Sequence, residues 1–102
     1  MKLIIHDDFI KEVKKLPKEI RERVKEKLVL VEKDPFSELQ KLGGFNLYKT
    51  RIGKYRIIFI VDFGNSLIFP ATIDLRKKVY KNLTKKKEKE SIKKFETLKS
   101  AT

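Results

Sequence analysis

The chain has 102 residues, enough for one domain with a modest buried core, and a net charge of +12 from 26 basic and 14 acidic side chains. It has no cysteine, which excludes disulfides and thiolate metal sites and suits a reducing compartment. No apolar run approaches a membrane span and the N-terminus lacks a signal-peptide pattern, so a cytoplasmic protein with no membrane partner is expected.

Leu3-Ile4-Ile5 is a short strand candidate. Asp7 or Asp8 then suits the cap of a first helix, where a carboxylate accepts orphan backbone N–H bonds and complements the dipole. Phe9, Val13 and Leu16 recur at helical spacing, and Pro17 ends this helix and fits the first turn of the next. In the second helix Ile20, Val24, Leu28 and Val31 form one apolar stripe, with Glu19 and Arg23 spaced for a surface ion pair. Asp34-Pro35 stops it. The short join predicts an antiparallel helix pair that needs a sheet to cover. Residues 36–46 read as a connection anchored by Phe36, Leu39 and Leu42 and broken at Gly43-Gly44.

Leu47 to Val61 is rich in β-branched and aromatic residues and interrupted only by Gly53-Lys54, the signature of a tight hairpin. Gly at the first central position favours a type II′ turn, which fixes the register. Ile52 then faces Tyr55, Thr50 faces Ile57, and Tyr48 faces Phe59. Tyr48, Ile52, Tyr55, Ile57, Phe59 and Val61 share the face assigned to the core under the helix pair. On the other face Arg51 stands across from Arg56, with Lys49 next along the strand. Like charges directly opposite are destabilising, where favourable pairs contribute about 0.2–1 kcal/mol. The stretch contains no carboxylate to neutralise them, so this face reads as built for an anion.

Gly64-Asn65 turns the chain again, and Leu67 to Ile73 is a third antiparallel strand. Pro70 within it implies a sheet edge or a bulge, which leaves the direction of Ile73 open. If that strand returns towards the hairpin turn, Arg76 joins Lys49, Arg51 and Arg56. Four cations on rigid elements suit a phosphodiester and the charge that grows in its transition state. Tyr80 can stack on a base or donate a proton, and a packed aromatic with a satisfied hydroxyl is the equally weighted structural alternative. His6, the one histidine, reads as structural, and no His/carboxylate cluster offers a metal site. Gly-rich phosphate loops and serine–histidine motifs are absent as well.

From Thr84 the composition turns basic. Residues 1–75 hold 15 basic and 11 acidic groups, a net of +4, whereas residues 76–102 hold 11 and 3, a net of +8. An excess of this kind favours nucleic acid, anionic membrane or an acidic protein. Ile92, Phe95 and Leu98 lie at helical spacing but make a thin stripe, so a frayed basic helix is expected. The apolar patch of Leu47, Ile58 and Ile60 is its natural seat.

The order of these features resembles the RelE/ParE toxin superfamily. The resemblance rests on Leu-Pro-Lys-Glu-Ile-Arg-Glu-Arg at 16–23, Asp34-Pro35, Lys41-Leu42-Gly43-Gly44, the hairpin from Leu47 to Phe59, and Arg76 to Tyr80, which is similar to the closing Arg-x-x-[Val/Ile]-Tyr. It covers about residues 2–83, a toxin domain of residues 1–83 followed by a basic segment of 84–102. It implies the toxin of a toxin–antitoxin pair and, in the RelE-like branch, a metal-independent endonuclease that cuts mRNA in the ribosomal A site by attack of the ribose 2′-OH on the adjacent phosphate. Carried over by position, Lys49 and Arg51 match the basic pair for phosphate contact and 2′-OH activation. Arg56 matches the transition-state arginine, Arg76 the arginine at the leaving group, and Tyr80 the base-stacking tyrosine. Lys54, Lys77, Lys78 and Lys81 supply further RNA-binding charge. Two departures stand out: Arg51 occupies a position where lysine is common, and guanidinium does not readily surrender its proton. Asp74-Leu75 replaces Gly-His or Gly-Lys before Arg76. The implied partners are an acidic cognate antitoxin, the ribosome and mRNA, with no cofactor. ParE-like members of the same fold instead bind gyrase without catalysis, and a plain basic RNA-binding module is the third alternative. The expected architecture is α+β: an antiparallel sheet of three to four strands, a helical hairpin on one face, and a basic C-terminal helix or tail.

Overall fold

The computed structural model describes residues 1–101; Thr102, the last residue of the expected basic segment, lies outside the described residues. The elements run β1 (Lys2–Leu3), α1 (Asp7–Lys14), α2 (Lys18–Lys33), α3 (Pro35–Glu38), β2 (Gln40–Lys41), β3 (Tyr48–Ile52), β4 (Tyr55–Asp62), β5 (Leu67–Leu75), α4 (Arg76–Asn82) and α5 (Lys85–Ser100). The α+β class is as expected, but the sheet has five strands in the order β1-β5-β4-β3-β2 and is mixed, because β1 runs parallel to β5. The two extra edge strands are two residues each, too short to leave a period in the sequence.

The first helix is capped by His6, not by Asp7 or Asp8. The Asp8 N–H donates to His6 Nδ1 at 3.0 Å, and both aspartates fall in the first turn, where their charge still suits the dipole. Phe36 is also not an anchor: α3 buries Pro35 and leaves Phe36 76% exposed, its ring stacked on Phe63 at 5.9 Å. Leu42 is buried as expected.

The hairpin register is the expected one, Ile52 opposite Tyr55, Thr50 opposite Ile57 and Tyr48 opposite Phe59. Gly53 takes φ +56° while Lys54 does not enter the positive region, as a type II′ turn requires. On the helical-hairpin face Val24, Leu28 and Val31 of α2 pack with Phe9, Ile52, Ile57 and Phe59. Pro70 marks a bulge. Ile58 pairs with Thr72 and Phe59 with Pro70, so Ala71 is the extra residue and the side-chain alternation reverses across it. Ile68 and Ile73, five residues apart, therefore both enter the core beneath α1 and α2. Beyond the reach of β1, Glu12 of α1 covers the open edge of β5. It accepts from Thr72 Oγ1 at 2.8 Å and from the Ile73 N–H at 3.4 Å, and its burial raises its pKa.

The opposite sheet face carries a second core. Leu47, Ile58, Ile60, Phe69 and Val79 are buried there with Phe95, and Ile92 and Leu98 pack around them. The basic segment is thus an ordered 16-residue helix, where fraying was expected, and it sits on the patch of Leu47, Ile58 and Ile60. Its thin apolar stripe is supplemented by polar fastenings. Thr84 caps its first turn. The Asn46 N–H donates to the buried Glu88 at 2.5 Å, and Lys85 Nζ donates to the Gly44 carbonyl. Lys94 pairs with Asp8 at 2.6 Å and Lys99 with Asp62 at 2.8 Å.

Lys99 and Asn65 hold the Asp62 carboxyl down from 3.8 to about 2, and Asp62 in turn raises the Lys99 ammonium. Because the folded Asp62 value lies below the ordinary one, its contribution is complete above about pH 3.8 and is lost as pH falls through about 2. The gap in melting temperature between the native chain and Asp62→Asn is therefore expected to be level from pH 5 to 9 and to close between pH 4 and 2. Melting curves across that range check this; a gap that closes near neutrality contradicts it.

Candidate functional site

The cations of the hairpin stay on the sheet face that also carries the second core, at the end α5 leaves open. Register sets Arg51 opposite Arg56, and Arg56 opposite Asp74 on the next strand. A carboxylate does therefore flank the row, contributed by β5, and it lies beside Arg56 in the ladder. Asp74 Oδ1 accepts the Leu75 N–H at 2.7 Å. Among the described residues, none of Lys49, Arg51, Arg56 and Arg76 has a carboxylate within ion-pair distance.

The guanidinium groups are steered by backbone carbonyls. Arg51 Nε donates to the Gly53 carbonyl at 3.2 Å; Arg56 donates to the same oxygen at 3.4 Å and to that of Tyr55 at 3.1 Å. The bulged β5 does return to the hairpin turn. Leu75 pairs with Tyr55, and the Arg76 N–H donates to the Lys54 carbonyl at 3.0 Å, so the first residue of α4 is tied to the turn. Arg76 and Tyr80, four apart on α4, share a face. The Arg76 guanidinium lies 5.7 Å from the Tyr80 ring centroid and Lys49 Nζ lies 5.5 Å from it. Lys49 also donates to the Tyr80 hydroxyl at 3.1 Å.

Tyr80 is thus the point where both strands and α4 meet. Burial raises its pKa, but the hydrogen bonds and charges of Lys49 and Arg56 outweigh this, and the phenol is more acidic than an ordinary tyrosine. An acidified hydroxyl ringed by cations can give up a proton to a nearby oxyanion, and its flat face can carry a base.

Of the other basic residues singled out, Lys54 is exposed at the turn, and Lys77, Lys78 and Lys81 are exposed on α4. Their side chains stand around the five residues without joining the side-chain hydrogen bonds of the cluster. Beside the cluster runs a cleft of about 870 Å³, floored by Ile58 and the bulge and walled by α5. It mixes Asp8, Glu12, Asp74 and Glu90 with Lys81, Lys87 and Lys94, so its charge does not select an anion. Among the described residues no three of His, Cys, Asp or Glu converge as metal ligands would, and no helix is long and apolar enough to cross a membrane.

Two residues near the cluster escape a reading along the chain. Asp74 looks like a strand-flanking turn residue until the bulge sets it opposite Arg56. Arg23 does not pair with Glu19 as its spacing suggests; its Nη1 reaches within 3.2 Å of where a Cβ on Gly53 would stand. No local pattern signals either one, because both depend on packing between distant segments.

Comparison with known proteins supplies the lineage. Residues 3–80 match the family model described as the ParE toxin of the type II toxin–antitoxin system parDE. Toxin RelE3 of Methanocaldococcus jannaschii is 33% identical over 88 residues, a match covering 78% of this chain and 96% of that protein. The fold is similar to a mutant of Escherichia coli toxin RelE in the free state, with a TM-score of 0.64, 25% identity and coverage of 90% and 94% of the two chains. It is similar also to the archaeal RelE–RelB complex from Pyrococcus horikoshii, with a TM-score of 0.61 and 26% identity over 74% of this chain and 93% of that one. By sequence along most of its length and by fold, the chain belongs to the RelE/ParE superfamily of toxins from type II toxin–antitoxin systems.

Proposed function

We propose that this toxin is an RNA endonuclease that cuts mRNA on the ribosome, in the cytoplasm, without a metal ion. The observation that carries the reading is the convergence of Lys49, Arg51, Arg56, Arg76 and Tyr80 at one open sheet face, with no carboxylate of the described residues ion-paired to them. In the proposed reaction the ribose 2′-oxygen attacks the adjacent phosphorus and loses its proton, the bond to the 5′-oxygen breaks, and that oxygen takes up a proton. The products are a 2′,3′-cyclic phosphate and a 5′-hydroxyl. Lys49 and Arg51 hold the phosphate, and Arg56 meets the charge that builds on its equatorial oxygens. Guanidinium keeps its proton, so Lys49, the one amine of the set, or water receives the proton of the 2′-OH. Arg76 faces the leaving oxygen, and Tyr80 stacks on a base or returns the proton. Residues 1–83 carry this chemistry, and the segment from Thr84 covers the apolar strip next to it.

The neutralising partner in this reading is an acidic, amphipathic antitoxin. The Pyrococcus horikoshii relative was solved with RelB, and the net +8 of residues 76–102 calls for carboxylates. Cleavage is expected to persist in chelator. Translation extract with the toxin is compared with and without EDTA, restoring only the magnesium that ribosomes need; dependence on another added metal contradicts the proposal. The ParE description of the matching family model favours one second reading, a gyrase-binding poison that leaves RNA intact. A supercoiling assay separates the two.

A further inference from the structure

We infer that Arg23 of α2 holds a second phosphate of the same RNA strand, over the hairpin turn and next to the one that Lys49 and Arg51 hold. The inference rests on the nuclease reading above and extends its binding surface onto a helix outside the five-residue cluster. Three guanidinium groups gather round one glycine. Arg51 and Arg56 both donate to the Gly53 carbonyl, at 3.2 and 3.4 Å, and Arg23 Nη1 lies on the Cα side of the same residue, 3.2 Å from the position of an added Cβ.

The placement of Arg23 runs against its local chemistry. Glu19 stands one turn back on the same helix, the spacing at which a surface ion pair forms most easily. Arg23 is paired neither with it nor with any other carboxylate among the described residues, and it approaches the glycine whose carbonyl two other cations bind. Both Arg23 and Arg51 are exposed and open to a ligand. Gly53 leaves the space: a side chain there meets Arg23 and also carries the strain of φ +56°. Arginine is suited to this role because its planar fork binds phosphate oxygens in pairs. A single-stranded RNA crossing from the Tyr80 end over the turn brings one phosphate to Lys49, Arg51 and Arg56 and the next to Arg23.

The test measures binding of a short labelled single-stranded RNA by fluorescence anisotropy across a potassium chloride series, using the full chain. Arg23→Gln is expected to weaken binding on the order of tenfold and to lower the slope of log affinity against log salt by about 0.7, one phosphate contact on a single strand. Arg23→Lys is expected to restore the slope but only part of the affinity. Lys25→Gln, which removes one exposed charge from the same helix away from the turn, serves as the control for net charge. Melting temperature should not move in Arg23→Gln, since the side chain has no hydrogen-bond or ion-pair partner to lose among the described residues. An Arg23→Gln protein that binds RNA like the native chain, or loses no more than Lys25→Gln, overturns the inference. If Arg56→Ala abolishes cleavage while Arg23→Gln binds normally, the second phosphate site falls and the nuclease reading stands. If the native chain cuts no message yet Arg23→Gln binds RNA more weakly, the anion site stands and the nuclease reading falls.

Discussion

Replacement of Arg56 by alanine is expected to lower mRNA cleavage about 10²–10³-fold, the scale of losing one preorganised group aimed at transition-state charge. Fold stability should change by less than about 1 kcal/mol. Arg51 stands directly opposite Arg56 in the ladder, so the substitution removes a like-charge neighbour; Asp74, in register on the other side, loses an opposite one. The hydrogen bonds lost are to the carbonyls of Gly53 and Tyr55, both near the solvent-facing turn, and to the Tyr80 hydroxyl. Cleavage rate and urea denaturation, measured on one preparation, separate chemistry from folding. Full activity in Arg56→Ala, or collapse of the fold, counts against the assigned role.

Phe95→Ala is the substitution with the largest expected effect on stability, roughly 3–5 kcal/mol against the docking of α5. The ring is 2% exposed and packs on Phe69 at 5.3 Å in the middle of the second core. The loss is large against a typical domain stability of about 5–15 kcal/mol. Ile92 and Leu98 are only partly buried and cannot replace it. Once α5 lifts, Leu47, Ile58, Ile60 and Phe69 face water, so dye binding to apolar surface should rise along with amide exchange in 85–100. Native-like exchange protection of α5 in Phe95→Ala contradicts this account of how the helix is held.

Much of the fold is legible because strand alternation is strict and the turn chemistry is specific. Gly53-Lys54 fixed the hairpin pairing residue for residue, and Pro70 announced the irregularity in β5. What stayed hidden has physical reasons. Two-residue strands such as β1 and β2 carry no period. A bulge reverses every side chain beyond it, so the inward turn of Ile73 and the alignment of Asp74 with Arg56 need the three-dimensional register. His6 took the cap because its Nδ1 reached the orphan N–H of Asp8, a role for which aspartate has the stronger prior. The three apolar residues of α5 understate its order, since Glu88, Lys85, Lys94 and Lys99 fasten it through contacts with residues 37 to 86 positions away. In the candidate site the cations stood out by charge and spacing alone. The tie between Lys49 and the Tyr80 hydroxyl required the strand and α4 to meet. Arg23 was concealed by its own helical spacing, which pointed to Glu19.

A primer-extension map of mRNA in a translation extract decides whether this sheet face cuts RNA. With the native chain added, new 5′ ends should appear within translated coding sequence, disappear when initiation is blocked, and be absent with Arg56→Ala. Intact message under the native chain, together with inhibition of gyrase supercoiling, would contradict the account and place this toxin among the gyrase poisons.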